Sequence, residues 1–176
     1  MVAWWRWDCP YWLSYVRRDN PRIRAILKAF PPRKLLGYGG FKWVYESRGL
    51  AIAITNDAQQ VEEEIKHLRI LRAVGLRVVK IKRWTKMGEE GVLIMTKYRS
   101  PDVFDDNLKA KCDRIGEILW KNRLYVHDLQ VLLDKSGHAV LSDPLDITYW
   151  KSKEDALTFY FKVKGREFER HYDFAP

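Results

Sequence analysis

Three sets of residues in this chain have types and spacings that could do chemistry. The first is the glycine-rich turn Leu36-Gly37-Tyr38-Gly39-Gly40-Phe41-Lys42. Glycines let backbone N–H groups come close to a phosphate with no side chain in the way, although three glycines also suit a plain hairpin. The second set is carboxylates: Glu64 in the run Glu62-Glu63-Glu64, Asp128 after His127, and Asp143 before Pro144. Each has an ordinary structural use as well. A glutamate run makes a solvated helix face, a His-Asp pair caps a helix end, and an aspartate before proline starts a turn. The third set is cationic. Arg17, Arg18, Arg22, Arg24, Lys28, Arg33 and Lys34 place seven basic residues within eighteen, against one acid, Asp19. A patch that dense would attract an acidic protein surface, or a nucleic-acid backbone with a steep salt dependence. Lys80-Ile81-Lys82-Arg83 with Lys86 could extend it.

These residues need elements to position them. Asn20-Pro21 reads as an N-cap with proline in the first turn, followed by the apolar helical stripe Ile23, Ile26, Leu27 and Phe30. Leu35-Leu36-Gly37, Trp43-Val44-Tyr45 and Leu50 to Ile54 read as short strands broken by glycine turns. A helix is expected from Gln59 to Val74, with Val61, Ile65, Leu68 and Leu71 on one side. Strands are expected over Arg77 to Trp84 and Gly91 to Lys97. From Pro101 the pattern is helical, with the stripe Leu108, Cys112, Ile115 and Leu119. A short hairpin then turns at Lys135-Ser136-Gly137, and Ser152 to Tyr172 reads as mostly helix, interrupted at Gly165.

Composition narrows the class. With 176 residues, 47% hydrophobic and 31% charged, the chain has enough apolar residues for a core and is not disordered. No uncharged apolar run is long enough to span a membrane. Two cysteines, Cys9 and Cys112, make no disulfide framework and no C-x-x-C metal pair. The amino terminus, with Trp4, Trp5, Arg6, Trp7 and Asp8, lacks the smooth apolar segment of a signal peptide, so a cytoplasmic protein is expected. Trp4, Trp5, Trp7 and Trp12 are read as packing an N-terminal helix, with base stacking or a membrane interface as the alternatives. The net charge of +9 fits an acidic partner.

Four motifs in order resemble those of protein kinases. Leu36 to Glu46 resembles the glycine-rich loop, with Lys42 at the third glycine. Glu64-Ile65-x-x-Leu68-x-x-Leu71 followed by Gly75 to Ile81 looks like the kinase helix C and its next strand, and Val92 to Tyr98 the strand before the hinge. Leu124-Tyr125-Val126-His127-Asp128-Leu129-Gln130 and Val131 to Pro144 resemble the catalytic loop, the following hairpin and the metal-binding aspartate, with Ser-Asp-Pro replacing Asp-Phe-Gly.

The resemblance implies an α+β, truncated, two-lobed kinase-like fold. It would have a small antiparallel N-lobe sheet over 34–98, a mainly helical C-lobe over 99–176, and a Trp/Arg-rich helical extension over 1–33. It implies ATP and magnesium as cofactors if the chain is active. Gly37, Gly39, Gly40, Lys42 and Glu64 would then bind nucleotide, Asp128 would be the base, and Asp143 with Asp134 would hold the metal.

The departures from the pattern are equally specific. Thr55 stands where the family has its phosphate-gripping lysine, which leaves Glu64 without an ion-pair partner and Lys42 as the cation to replace it. The catalytic loop is about three residues short, and Leu133 stands five beyond Asp128, where a metal-binding asparagine belongs. Gln130 or Asp134 would have to replace it. Only 33 residues follow Asp143, too few for a normal activation segment. In shape the nearest analogues are compact bacterial effector kinases and small phage-encoded kinase-like proteins.

Three functions follow as expectations. The first is a kinase-like protein with degraded motifs that acts by binding another macromolecule, as an inhibitor or regulator in a phage or bacterial conflict. The second is an atypical ATP-dependent phosphotransferase. The third is a nucleic-acid binder on a kinase-like scaffold, using Arg17, Arg18, Arg22 and Arg24.

Overall fold

Asn20 starts the first helix as expected. Its side-chain Oδ1 accepts from the N–H groups of Arg22 (2.9 Å) and Ile23 (3.4 Å), and Pro21 opens α1 (Pro21–Ala29). Pro31-Pro32 lies beyond its end, where proline cannot continue a helix. The computed structural model describes residues 20–38, 42–127, 129–144, 146–149, 157–163 and 166–172; over 157–172 the only side chain described is that of Phe161. The expectations for Trp4, Trp5, Trp7, Trp12, Arg17 and Arg18 lie outside these residues, as do Gly39, Gly40 and Asp128.

The described residues form two units. The first comprises those within Met1–Val61 and Ile81–Met95, the second those within Glu62–Lys80 and Thr96–Pro176. In the first unit, β1 (Lys34–Tyr38), β2 (Lys42–Ser47), β3 (Leu50–Thr55), β4 (Ile81–Met87) and β5 (Glu90–Thr96) make one sheet in the order β1-β2-β3-β5-β4. Pairing is antiparallel for β1 with β2, β2 with β3, and β4 with β5. Alternation along each strand assigns two faces. One face joins Trp43 and Tyr45 of β2, Ile52 and Ile54 of β3, Val92 of β5 and Met87 of β4 to the fully buried Ile23 of α1, with Ile26, Leu27 and Phe30 packed against them. The apolar stripe of α1 is thus core.

Helix α1 is tied at both ends. Asn20 Nδ2 donates to Glu90 Oε2, and Ser47 Oγ donates to the Pro31 carbonyl at 2.9 Å. Both edge strands carry features that discourage pairing with another chain. The β1–β2 pairing is irregular between Leu35 and Gly37, and β4 exposes Lys82, Arg83 and Lys86.

The chain passes into the second unit within α2 (Ala58–Ala73), whose buried positions include Val61, Glu64, Ile65, Leu68 and Leu71. The strand expected from Arg77 starts only at Ile81. Before it, the Leu141 N–H donates to the Arg77 carbonyl (2.9 Å) and the Val79 N–H donates to the Leu141 carbonyl (2.9 Å). Helix α3 (Asp106–Lys121) is capped by Asp105, whose Oδ1 accepts from the Leu108 N–H at 2.8 Å, and it buries the expected stripe Leu108, Cys112, Ile115 and Leu119.

The remainder departs from expectation. The segment 99–176 was expected to be mainly helical, but among the described residues α3 is followed by six strands. They are β6 (Leu124–His127), β7 (Leu129–Leu133), β8 (Ala139–Ser142), β9 (Asp146–Tyr149), β10 (Leu157–Val163) and β11 (Arg166–Tyr172). The helix expected from Ser152 to Tyr172 is a hairpin: β10 and β11 pair antiparallel from Leu157↔Tyr172 to Val163↔Arg166. The physical reason is in the residues. Leu157, Phe159, Phe161 and Val163 recur with period two, in a run of aromatic and β-branched types that favour strands. Strand β10 also pairs parallel with β7, at Phe161↔Leu129, completing a sheet ordered β11-β10-β7-β8, while β6 and β9 form a separate pair.

Candidate functional site

In the first unit, Thr55, which stands where the kinase pattern has its lysine, is buried. Thr55 is only 2% exposed, and its Oγ1 accepts from the Asp57 N–H (3.1 Å) while lying 3.3 Å from the Asp57 carbonyl. The hydroxyl is therefore used by the turn into α2, which Asp57 continues by accepting from the Gln59 N–H at 2.9 Å. The Thr55 methyl lies where a Cβ on Gly91 would come within 3.1 Å, and the same Cβ would meet Val61 Cγ2 at 2.3 Å. Position 91 therefore needs glycine, because any side chain there would meet Val61 and Thr55.

Lys42 is the direct cross-strand partner of Thr55. Directly opposite residues share a sheet face, so Lys42 rises beside Thr55 on the face opposite α1, next in line to the pair Val44↔Ala53. Lys42 is half-buried and already engaged in an interaction. Gly37, at the end of β1, has open space where a Cβ would be, so packing does not demand glycine there.

In the second unit the acidic candidates separate. Glu62 and Glu63 are exposed, whereas Glu64 is 7% exposed and engaged. The solvated-face reading of the run therefore fails for Glu64, which shares the inward side of α2 with Val61, Leu68 and Leu71. Asp143 follows β8 with φ 56°, a left-handed backbone conformation uncommon for a residue with a side chain. Its two neighbours in sequence are each in contact with another residue. Ser142 Oγ donates to Gln130 Oε1 at 3.0 Å, and His67 Nδ1 of α2 lies 3.3 Å from the Pro144 carbonyl. Nothing in the sequence pointed to His67, because 77 residues separate it from its partner.

Asp134 is a turn residue. Its Oδ1 accepts from the N–H groups of Ser136 and His138, both at 2.9 Å, and its Oδ2 faces His138 Nδ1 at 3.2 Å and Arg77 at 3.6 Å. The backbone N–H of His138, foremost among these, holds its carboxyl below the usual carboxylate range.

Asp134 and Asp143 do not come together. The register Gln130↔Ser142 to Leu133↔Ala139 places Asp134 at the turn end of the hairpin and Asp143 past the other end. At about 3.3 Å per residue, that is too far apart for one ion. The expectation that these two carboxylates share a metal is corrected on that ground. Gln130 lies at the Asp143 end, but its carbonyl oxygen accepts the Ser142 hydroxyl. Leu133, in the asparagine position, is buried and exchanges two backbone hydrogen bonds with Arg99. Among the described residues no group of three or more His, Cys, Asp and Glu could hold a metal ion.

Between β6, ending at His127, and β7, beginning at Leu129, there is one residue, Asp128. His127 is exposed, and its ring meets that of Tyr125 edge-on at 4.6 Å. No helix among the described residues is long and apolar enough to cross a membrane.

No protein-family profile matches the chain, and no curated protein matches it in sequence. Among solved structures it is similar to WbdD, in a crystal structure at 2.2 Å, with a TM-score of 0.55 and 16% identity. The match covers 70% of this chain and 34% of WbdD, so the chain spans about a third of the length of that structure. At this identity the likeness is one of fold. It agrees with an α+β architecture that is kinase-like at a coarse level.

Proposed function

We propose that this chain is a kinase-like protein with degraded catalytic motifs that acts by binding another macromolecule, as an inhibitor or regulator. The five-stranded first unit is read as the N-lobe counterpart and the second unit as a C-lobe whose helices are largely replaced by strands.

One observation carries this reading. Strands β6 and β7 are separated by a single residue, Asp128, where the family needs a loop long enough to present both a base and a metal ligand. Leu133, counted to the ligand position, is paired backbone to backbone with Arg99 and buried. Thr55 supports the same conclusion: it offers no charge, and its hydroxyl is committed to a turn.

The test is phosphotransfer itself. The full chain, incubated with γ-labelled ATP and magnesium, is expected to incorporate no label into itself or into a general acceptor protein. Incorporation that disappears in Asp143→Ala would overturn the reading.

A second reading has one specific observation in its favour. Lys42, directly opposite Thr55, brings a cation to the strand position beside the missing lysine. An atypical ATP-dependent phosphotransferase would use it for the phosphate contact, with Asp128 as base and Asp143 holding magnesium. That reading expects label incorporation to be lost in Lys42→Met as well as in Asp143→Ala.

A further inference from the structure

The cations of the first unit are sorted onto sheet faces by the strand register. Ile23, Ile26, Leu27 and Phe30 hold α1 on the sheet, so the exposed Arg22, Arg24 and Lys28 stand on its flanks and outer side, Arg24 being already engaged in an interaction. On β4, Arg83 pairs with Ile94, which packs in the same cluster as α1; Arg83 is therefore exposed on the α1 face. Trp84 pairs with Leu93 and belongs to the opposite face. No acidic residue occurs from Asn20 to Tyr45, and none occurs in β4. Helix α1 is also tied down at both ends, by Asn20 to Glu90 and by Pro31 to Ser47, so the backbone that carries its cations is fixed before any partner arrives.

We propose that this face, carrying Arg22, Arg24, Lys28 and Arg83, binds the phosphate backbone of duplex nucleic acid without reading sequence. The proposal rests on the reading of the chain as a binding protein and gives that reading its partner. The chemistry of the face selects among acidic partners. A protein interface has an apolar or aromatic centre, but the only apolar residues on the outward side of α1 are the small, exposed Ala25 and Ala29. A phosphate backbone asks for cations alone. Unstacked single strands use aromatic platforms, and the exposed Trp84 stands on the other face of the sheet.

The experiment is fluorescence anisotropy of the full chain with a labelled mixed-sequence DNA duplex of about twenty base pairs, across a salt series. Four phosphate contacts give a log–log slope of about −3.6, or about a hundredfold weaker binding between roughly 50 and 200 mM salt. Replacing Arg22, Arg24, Lys28 and Arg83 together by glutamate is expected to abolish binding and leave thermal unfolding cooperative. A control reverses the same number of exposed cations in the second unit, Lys109, Arg114, Lys121 and Arg123, and is expected to retain the slope. Equal loss in both variants would overturn the proposal, as would single strands binding more tightly than duplex, displacement by poly-glutamate at equal charge, or no binding by the wild type. Those failures leave the phosphotransfer test untouched, and label incorporation would in turn sink the functional reading without touching the duplex result. Should the four-site variant fail to fold, Arg24→Gln and Lys28→Gln, tested singly, must each lower the slope by about one.

Discussion

Lys42 lies directly across from Thr55 in the β2–β3 register, so a lysine and a buried threonine share one face of the sheet. The threonine is committed to the turn into α2 through the Asp57 N–H. On the same face Gly91 lies so close that a Cβ there would meet the Thr55 methyl at 3.1 Å and Val61 Cγ2 at 2.3 Å.

Thr55 is therefore expected to respond as a structural residue. Thr55→Val removes the hydroxyl that serves the Asp57 N–H and should lower stability by about 1 kcal/mol in urea unfolding. Thr55→Ser should be milder. Thr55→Lys should be the most destabilising of the three, because an ammonium cannot be buried there, and it should confer no ATP binding.

Gly91→Ala should cost about 1–3 kcal/mol, since its Cβ would sit 2.3 Å from Val61 Cγ2. Combining it with Val61→Ala should cost less than the sum of the two single changes. Strict additivity in that double-mutant cycle would remove the close contact from the account.

Asn20 has two tasks, capping α1 and donating to the buried Glu90 carboxylate. Asn20→Ala should lower stability by about 0.5–2 kcal/mol, with Asn20→Asp worse than an ordinary cap exchange because it places a carboxylate against Glu90. Thermal unfolding monitored by circular dichroism reads both, and a silent Asn20→Ala would mean that the apolar stripe Ile23, Ile26, Leu27 and Phe30 holds α1 without the Asn20 bonds.

Asp134 gives a pH prediction with a defined sign. Its folded carboxyl is held below the ordinary 3.8 by backbone N–H donors, so the proton is bound more tightly in the unfolded chain. The stability it lends the β7–β8 hairpin is present above the unfolded value and is lost as pH falls from about 3.8 through the lower folded value. A carbon-detected NMR titration should place its midpoint below that of exposed aspartates, and Asp134→Ala should abolish the Ser136 and His138 amide shifts that accompany it.

Much of this architecture is legible in the residues. Asn20-Pro21 marks a helix start through chemistry that is local to it, and the stripes of α1 and α3 need only a 3.6-residue period to be found. Glu64 was legible too: it falls between Val61 and Leu68 on the apolar side of α2, but the triple glutamate run obscured it. The β10–β11 hairpin was hidden by a Ser-x-x-Asp pattern and by charges that suit a helix, although its alternating aromatics argued for strand. Contacts between distant residues had no signal. His67 reaches Pro144 across 77 positions, and the pairing of Leu133 with Arg99 depends on tertiary placement. Among the site residues, the glycine turn, Asp134 and Asp143 stood out by type, while the register that separates Asp134 from Asp143 only strand pairing could reveal.

The proposed function expects the full chain to bind no nucleotide. Calorimetric titration of the full chain with ATP and magnesium tests it most directly. No saturable heat is expected at protein concentrations in the tens of micromolar, because Thr55 supplies no charge and Leu133 no ligand. A micromolar dissociation constant, weakened tenfold or more in Lys42→Met, would contradict it and establish the displaced lysine as a working phosphate contact.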